Sequence, residues 1–376
     1  MLRRSSLLPA LLVLVLLGWL LDTGRARGSE GATAVPVQLG YTYSPRQADY
    51  LGMPRRDTLA AALTLDVSLV RLGAYWDELE PQPGRYDFSS LDWQMDQAAA
   101  SGRGVVLTVG MKAPRWPEYF LPTWLKGHVP HQDGLTVSDV PEVRAAAVRF
   151  VRTVATHYRD HSALRYWQVE NEPLDPSGPL HWSIRPEFLA GEIATLRAAD
   201  EQRHPVVLNM FAHLYPLASV LPWSRGDDQR AATLLELGDI LGLDVYPSVS
   251  LRLLGFNLYF DFTDWDWTAA VQRLGEQARR QDKPAWIVEA QAEPWEPSAI
   301  VATRPGQARS LGPGQAERIL ARLRDGGFDT ILAWGVEHWY MRRETQNDAS
   351  WWDAGQLFLH PAPPAVQLTD RGGAGA

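Results

Sequence analysis

Short apolar runs rich in β-branched residues alternate along the chain with longer stretches whose apolar positions follow a helical period. A strand of a parallel sheet is covered on both faces and is therefore continuously apolar, whereas a surface helix is apolar on one face. Eight strand-like runs occur, with a helical stretch between each consecutive pair, which favours βα units closed into a barrel. The predicted strands are Val37–Tyr41, Leu69–Ala74, Val105–Val109, Tyr166–Val169, Val206–Met210, Ile240–Val245, Ala285–Val288 and Thr330–Trp334.

Two of the predicted connections are longer than the others. The connection between the third and fourth strands contains several prolines, and a second long loop runs from Pro247 to Asp266. Both would overhang the carboxyl ends of the strands, where βα loops build the active sites of barrels. No feature marks a second domain. The sequence therefore predicts a single (β/α)8 TIM barrel, of class α/β, over residues 35–360, with a flexible tail at 361–376.

The first 30 residues resemble an export signal. Arg3 and Arg4 precede an apolar stretch at residues 7–21, which is the order of charged and hydrophobic regions in such signals. The residues after this stretch are charged and offer no clear cleavage site, so both a cleaved signal peptide and an uncleaved membrane anchor remain open. We expect an extracytoplasmic protein that is either secreted or anchored.

Composition and charge exclude several classes of protein. The 376 residues carry a formal charge of -8, which argues against a surface that binds nucleic acid. The chain has no cysteine, so disulfides, thiolate metal sites and cysteine nucleophiles are all excluded. No serine-hydrolase elbow or phosphate-binding glycine loop follows a predicted strand. The oligomeric state is left open.

The most informative segment ends the fourth predicted strand. Apolar residues give way to Glu170, Asn171, Glu172 and Pro173, and the proline blocks a helix. Regular strand alternation would place Glu170 and Glu172 on the same side and Asn171 on the other. A carboxyl group here can protonate a leaving oxygen if burial or a neighbouring carboxylate raises its pKa.

A second glutamate ends the seventh predicted strand. Glu289 is the first charged residue after the apolar run of that strand, and Glu293 in the following loop is the alternative. Strands four and seven lie on different sides of a barrel mouth. Retaining glycosidases hold two carboxyl groups about 5 to 5.5 Å apart across such a site.

With these segments the chain resembles the clan A glycoside hydrolases, which include the cellulase-like enzymes and the barrel β-galactosidases. Asn171-Glu172-Pro173 matches the acid/base motif of the clan, and Glu289 matches its nucleophile position. Further matches are Arg71 at the second strand, Tyr246 after the sixth and Trp334 at the eighth. The resemblance extends over nearly the whole predicted barrel.

The resemblance implies a role for each matching residue, and it places Arg71, Asn171, Tyr246 and Trp334 in the substrate-binding site. Asn171 would bond the 2-hydroxyl of the sugar, Tyr246 would support the nucleophile, and Arg71 would keep Glu289 ionised. One departure is Asp244, two residues before the tyrosine, where many cellulase-like members have a histidine. The segment around Glu289 also differs from the usual nucleophile motif, so the resemblance leaves the sugar and its linkage open.

Other residues are weighed by their surroundings. Trp76, Trp295 and Trp334 are predicted to bind substrate, because a flat aromatic face suits the apolar side of a sugar ring. His157 and His161 have a spacing that can bind zinc but lack the accompanying glutamate, so a solvated helix end is predicted there.

The sequence thus predicts retaining hydrolysis of β-glycosidic bonds by Glu172 and Glu289, with carbohydrate as the partner and no cofactor or metal. Two alternatives stay open: a non-catalytic carbohydrate-binding barrel, and a transglycosylase that uses the same glutamates. A metal-dependent hydrolase is disfavoured because histidines and aspartates are scarce at the predicted strand ends. Internal and terminal attack on a glycan are not distinguished.

Overall fold

The computed structural model describes residues 37–214, 226–253, 256–296 and 308–359. Eight parallel strands form a closed barrel in the order β1-β10-β9-β6-β5-β4-β3-β2, which confirms the predicted TIM barrel. All eight predicted strands are present, with ends that differ by a few residues. The barrel strands are β1 Gln38–Thr42, β2 Leu69–Gly73, β3 Gly104–Val109, β4 Leu164–Val169, β5 Val206–Phe211, β6 Ile240–Val245, β9 Ala285–Gln291 and β10 Thr330–Trp334.

Helices surround the barrel and bury their apolar faces against it. The longest, Pro141–Tyr158, begins with a proline at its first position and buries every third or fourth residue. Within the described ranges, none of the helices has the length and apolar character needed to cross a bilayer. The helices are α1 Pro45–Tyr50, α2 Arg55–Ala62, α3 Trp76–Leu79, α4 Ser89–Ala100, α5 Thr123–Lys126, α6 Pro141–Tyr158, α7 Pro186–Ala199, α8 Asp227–Leu237, α9 Thr268–Arg279, α10 Pro313–Arg324, α11 Val336–Gln346 and α12 Ser350–Leu359.

Side chains inside the barrel lie in layers that change from apolar to polar toward the carboxyl ends of the strands. Alternate residues of a strand point to the same face of the sheet. An inward-facing residue two or four positions after a residue of the apolar layer therefore lies closer to the mouth of the barrel. The apolar layer is Leu69, Val106, Val207, Ile240, Trp286, Val288 and Leu332. The inward positions above it are Arg71, Thr108, Gln168, Asn209, Asp244 and Glu289, all buried.

Glu289 reaches this polar layer because β9 contains a bulge. The register of β9 with β6 pairs Leu243 with Ile287 but Asp244 with Glu289, so Val288 is an extra residue. A bulge shifts the alternation by one position and redirects the side chains beyond it. Val288 and Glu289 therefore both face the barrel interior. The apolar run predicted this strand to end near Val288, whereas it continues to Gln291.

The structure adds elements that the sequence pattern did not predict. The loop after β6 contains an antiparallel hairpin of β7 Ser248–Leu253 and β8 Phe256–Asp261.

The pair His157 and His161 lies at the end of α6, where a solvated helix end was predicted. The two histidines bond two aspartates of α4, Asp92 and Asp96. The predicted leader at 1–30 and tail at 361–376 lie outside the described residues, so both stay predictions.

Candidate active site

An open cavity of about 280 Å³ lies at the carboxyl ends of the barrel strands. It brings together side chains from loops that are far apart in the chain, which is the usual position of an active site in this fold. Six of the eight predicted site residues line it, whereas Arg71 and Trp76 do not. The lining residues are Gln47, Arg115, Trp116, Glu118, Asn171, Glu172, Phe211, Tyr246, Glu289, Glu293, Pro294, Trp295, Glu296 and Trp334.

Glu289 is held by two donors, one on each carboxylate oxygen. Arg71 Nη1 lies 2.8 Å from Oε1, and Tyr246 Oη donates to Oε2 at 2.6 Å. Burial raises the pKa of Tyr246 well above its usual range, and the charge of Glu289 raises it further, so the hydroxyl stays a donor. A carboxylate with both oxygens bonded in this way has a fixed orientation and a stabilised charge.

Arg71 forms the floor beneath the cavity. Its side chain is fully buried, and its guanidinium also donates from Nε to Gln168 Oε1 at 2.8 Å and from Nη2 to Asn171 Oδ1 at 2.5 Å. The rigid fork of an arginine thus joins Glu289 to Asn171. The prediction that Arg71 binds substrate directly is wrong, because no surface of the residue is accessible. Its contacts instead match the supporting role that the resemblance implied.

Glu172 is fixed through its backbone. Its N–H donates to Asn209 Oδ1 at 2.8 Å, and Lys112 Nζ donates to its carbonyl oxygen at 2.7 Å. Enclosure by the protein raises the pKa of the Glu172 carboxyl well above its usual range, and the charges of Glu118, Asp175 and Glu289 raise it further. These surroundings favour the protonated form of Glu172, whereas Glu289 has a guanidinium and a hydroxyl donor on its two oxygens.

Glu170 points away from Glu172, contrary to the expectation from regular alternation. The strand ends at Val169, and both glutamates have positive φ angles of 59° and 45°, so the alternation does not continue. The Glu170 carboxylate accepts from the backbone N–H groups of Met111 and Lys112 at 2.8 and 2.5 Å. Its role is structural, because it ties the loop after β3 to the end of β4.

Aromatic side chains form one wall of the cavity. Trp295 is 39% exposed and packs edge-on against Tyr246, with 5.1 Å between ring centroids. Trp334 lies beside Tyr246, with 6.4 Å between ring centroids, and Trp116 also lines the cavity.

Trp76 is a wrong prediction for substrate binding. Its side chain is fully buried, its ring stacks on Phe150 at 5.0 Å, and its indole N–H donates to Glu80 at 2.6 Å. Trp76 begins the short helix α3, which turns its ring toward the outer core.

Several cavity residues were missed from the sequence. Arg115 lies 3.9 Å from the ring centroid of Trp334 and forms ion pairs with Glu293 and with Glu337, the latter at 2.7 Å. Glu293, the alternative nucleophile, is thereby paired with Arg115. The available signal for Arg115 was its position in the loop that follows β3. Asn209, which bonds the backbone of Glu172 beneath the cavity, could have been indicated as a single polar residue within an apolar strand.

Comparison with known proteins supports a relationship to glycoside hydrolases. The Glyco_hydro_42 family model, described as β-galactosidase, matches residues 42–183. A β-galactosidase of Arthrobacter sp is 30% identical over 151 residues, which is 36% of this chain and 20% of that enzyme. The LacZ β-galactosidase of Heyndrickxia coagulans is 32% identical over 113 residues, 26% of this chain and 16% of that enzyme. The matches therefore span a minor part of these relatives' length.

Solved structures share the barrel at low sequence identity. The GH5_18 protein of Streptomyces cattleya, solved with GlcNAc, has a TM-score of 0.58 at 17% identity and covers 88% of this chain and 82% of its own. The β-galactosidase of Rahnella sp. R3 has a TM-score of 0.52 at 17% identity, and the match covers 81% of this chain and 51% of that chain. The family model and the shared barrel together confirm that this chain resembles the clan A glycoside hydrolases.

Proposed function

We propose that the protein hydrolyses β-glycosidic bonds with retention of anomeric configuration, with Glu289 as nucleophile and Glu172 as acid/base. The observation that carries this proposal is the contrast between two carboxyl groups on one cavity. Glu289 is paired with Arg71 and bonded by Tyr246, whereas enclosure and neighbouring negative charges raise the pKa of Glu172. A double displacement requires one carboxyl group that attacks as a carboxylate and one that donates a proton, and these surroundings suit Glu289 and Glu172 to those roles.

In the first step a Glu289 oxygen attacks the anomeric carbon while the bond to the leaving oxygen breaks. Glu172 transfers its proton to that oxygen, so the leaving group departs as an alcohol and Glu172 becomes a carboxylate. Asn171, which Arg71 fixes at 2.5 Å, is placed beside both glutamates to bond a sugar hydroxyl.

In the second step the Glu172 carboxylate takes a proton from water, and the hydroxide attacks the anomeric carbon of the glycosyl ester. The bond to Glu289 breaks, which regenerates the Glu289 carboxylate and the protonated Glu172. Arg71 and Tyr246 stabilise the charge that returns to Glu289. All the groups used belong to this chain, and we propose no cofactor.

The choice of sugar is open, and β-galactosides are the first substrates to test. The matching family model and the curated relatives are β-galactosidases, although they match only part of this chain. A panel of aryl β-glycosides and β-linked polysaccharides would identify the sugar and separate terminal from internal attack.

Replacement of the nucleophile tests the proposal. Glu289→Ala should lower kcat on an aryl β-glycoside by at least about 1,000-fold, because the covalent intermediate cannot form. Azide should partly restore turnover and give the glycosyl azide of inverted configuration, which NMR identifies. Glu187→Ala, at an exposed position of α7, serves as the control and should behave like the wild type. Wild-type activity in Glu289→Ala would refute the assignment.

A further inference from the structure

Asp244 is a buried acid in the polar layer beneath the cavity. It lies on β6, its side chain is inaccessible to solvent, and its Oδ2 accepts a hydrogen bond from Asn209 Nδ2 at 2.6 Å. The same asparagine accepts the backbone N–H of Glu172 at 2.8 Å. Asn209 therefore connects Asp244 to the acid/base residue.

Among the residues that the structure describes, no cation forms an ion pair with Asp244. The nearby guanidinium of Arg71 directs its donors to Gln168, Glu289 and Asn171. Within the part of the chain that the structure describes, Asp244 Oδ1 receives no hydrogen bond from an N–H or O–H group. A buried carboxylate with one unbonded oxygen and no counter-ion is costly.

The side chain of Asp244 is also in hydrogen-bonding contact with the Glu172 carboxyl. Two carboxyl groups can bond to each other only if a proton lies between them. The ionisable groups that act on Asp244 are Glu172 after β4, Glu289 on β9 and Arg71 on β2. Burial raises the pKa of Asp244 well above its usual range, the charges of Glu289 and Glu172 raise it further, and Arg71 opposes them.

We infer that Asp244 is a positioning residue that, as a neutral acid, donates a hydrogen bond to Glu172 and holds that carboxyl toward the leaving oxygen. This inference rests on the proposed function. Asp244 keeps its proton throughout the cycle. In the first step it bonds the Glu172 oxygen that does not carry the acid proton, and after proton transfer it stabilises the new carboxylate.

Leaving-group dependence distinguishes this role from a purely structural one. A glycoside with a poor leaving group requires protonation by Glu172, whereas a dinitrophenyl glycoside departs with little assistance. The experiment compares kcat/KM for an alkyl and a dinitrophenyl β-glycoside in the full chain carrying Asp244→Leu, which has the same number of side-chain heavy atoms as aspartate and lacks a donor. The reduction should be roughly 10- to 100-fold for the alkyl substrate and less than about threefold for the dinitrophenyl substrate.

The conservative variant tests the protonation state. Asn at position 244 keeps a neutral donor and an acceptor for Asn209, so Asp244→Asn should recover most of the alkyl-glycoside activity that Asp244→Leu loses. Its alkaline limb in the pH profile of kcat/KM should stay within about 0.3 unit of the wild type. A fall of that limb by a unit or more would mean that an ionised Asp244 raises the pKa of Glu172, and would overturn the inference.

A buried aspartate elsewhere provides the control. Asp227 bonds His213 and Arg230, and Asp227→Leu should change both substrates by the same factor. Equal reductions on both substrates in Asp244→Leu, or wild-type behaviour in that variant, would also overturn the inference. Failure of the proposed function is separately visible, because Glu289→Ala would then retain the wild-type rate on both substrates.

Discussion

At the scale of single residues, the proposed chemistry depends on the hydrogen-bond donors and charges next to Glu172 and Glu289. Glu289 has one cationic and one hydroxyl donor, and the resemblance to clan A had assigned a supporting role to both Arg71 and Tyr246. The residue type and the strand position of Arg71 and Tyr246 were therefore enough to indicate these contacts. Burial was not predictable in the same way, because a tryptophan such as Trp76 suits a sugar and a core equally well.

Removal of the tyrosine hydroxyl should weaken the nucleophile without removing it. Tyr246→Phe deletes the 2.6 Å hydrogen bond to Glu289, and we expect kcat to fall roughly 10- to 100-fold, because one donor to a charge that changes during the reaction is lost. Steady-state kinetics on an aryl β-glycoside measure this.

Tyr41→Phe is the matched control. The Tyr41 hydroxyl is buried and has no hydrogen-bond partner among the described residues. Its removal should leave activity unchanged and the free energy of unfolding equal or slightly higher. Equal kinetics for the two variants would show that the hydrogen bond to Glu289 does not contribute.

At the scale of elements, strands were predictable and their irregular ends were not. Continuous apolar runs identify buried strands, so all eight were found. The bulge at Val288 and the left-handed backbone of Glu170 and Glu172 arise from tertiary contacts, which periodicity does not encode. These irregular positions orient Glu172, Glu289 and Glu170, and the sequence could indicate the residues but not their directions.

The contact between the end of β4 and helix α7 should make stability depend on pH. Glu170 and Glu192 are both fully buried and bond each other; burial raises the pKa of Glu170 to about 7 and that of Glu192 well above its usual range. The folded state then binds more protons at this pair than the unfolded state, so the contribution of the pair to stability is fully present below about pH 4.5 and is lost as the pH rises through about 7.

The variant Glu192→Gln removes one titrating group and leaves an amide that can donate to Glu170. We expect its Tm to fall less than the wild-type Tm between pH 5 and 8, measured by calorimetry, because one of the two buried titrating groups is absent. Glu187→Gln, at an exposed position of the same helix, should follow the wild-type curve. Parallel curves for Glu192→Gln and wild type would show that the pair does not titrate in this range.

At the scale of the whole molecule, barrel closure places the two catalytic candidates on one cavity. Glu172 follows β4, the fourth strand of the barrel, and Glu289 lies on β9, the seventh, and the order of strands around the closed sheet follows from alternating βα units. The fold class and the placement of these two glutamates on one cavity were therefore predictable. The hairpin β7–β8 and the ion pairs of Arg115 with Glu293 and Glu337 were not predictable, because loop structure depends on contacts across the mouth.

Trapping of the glycosyl intermediate is the direct test of whether Glu289 is the nucleophile of a retaining reaction. The full chain would be incubated with 2-deoxy-2-fluoro β-glycosides that carry a dinitrophenyl leaving group, and the labelled peptide would be identified by mass spectrometry. We expect one sugar per chain, attached to Glu289, with inactivation at the same rate as labelling. A label on Glu293, or an active enzyme that releases product of inverted configuration and takes no label, would contradict it.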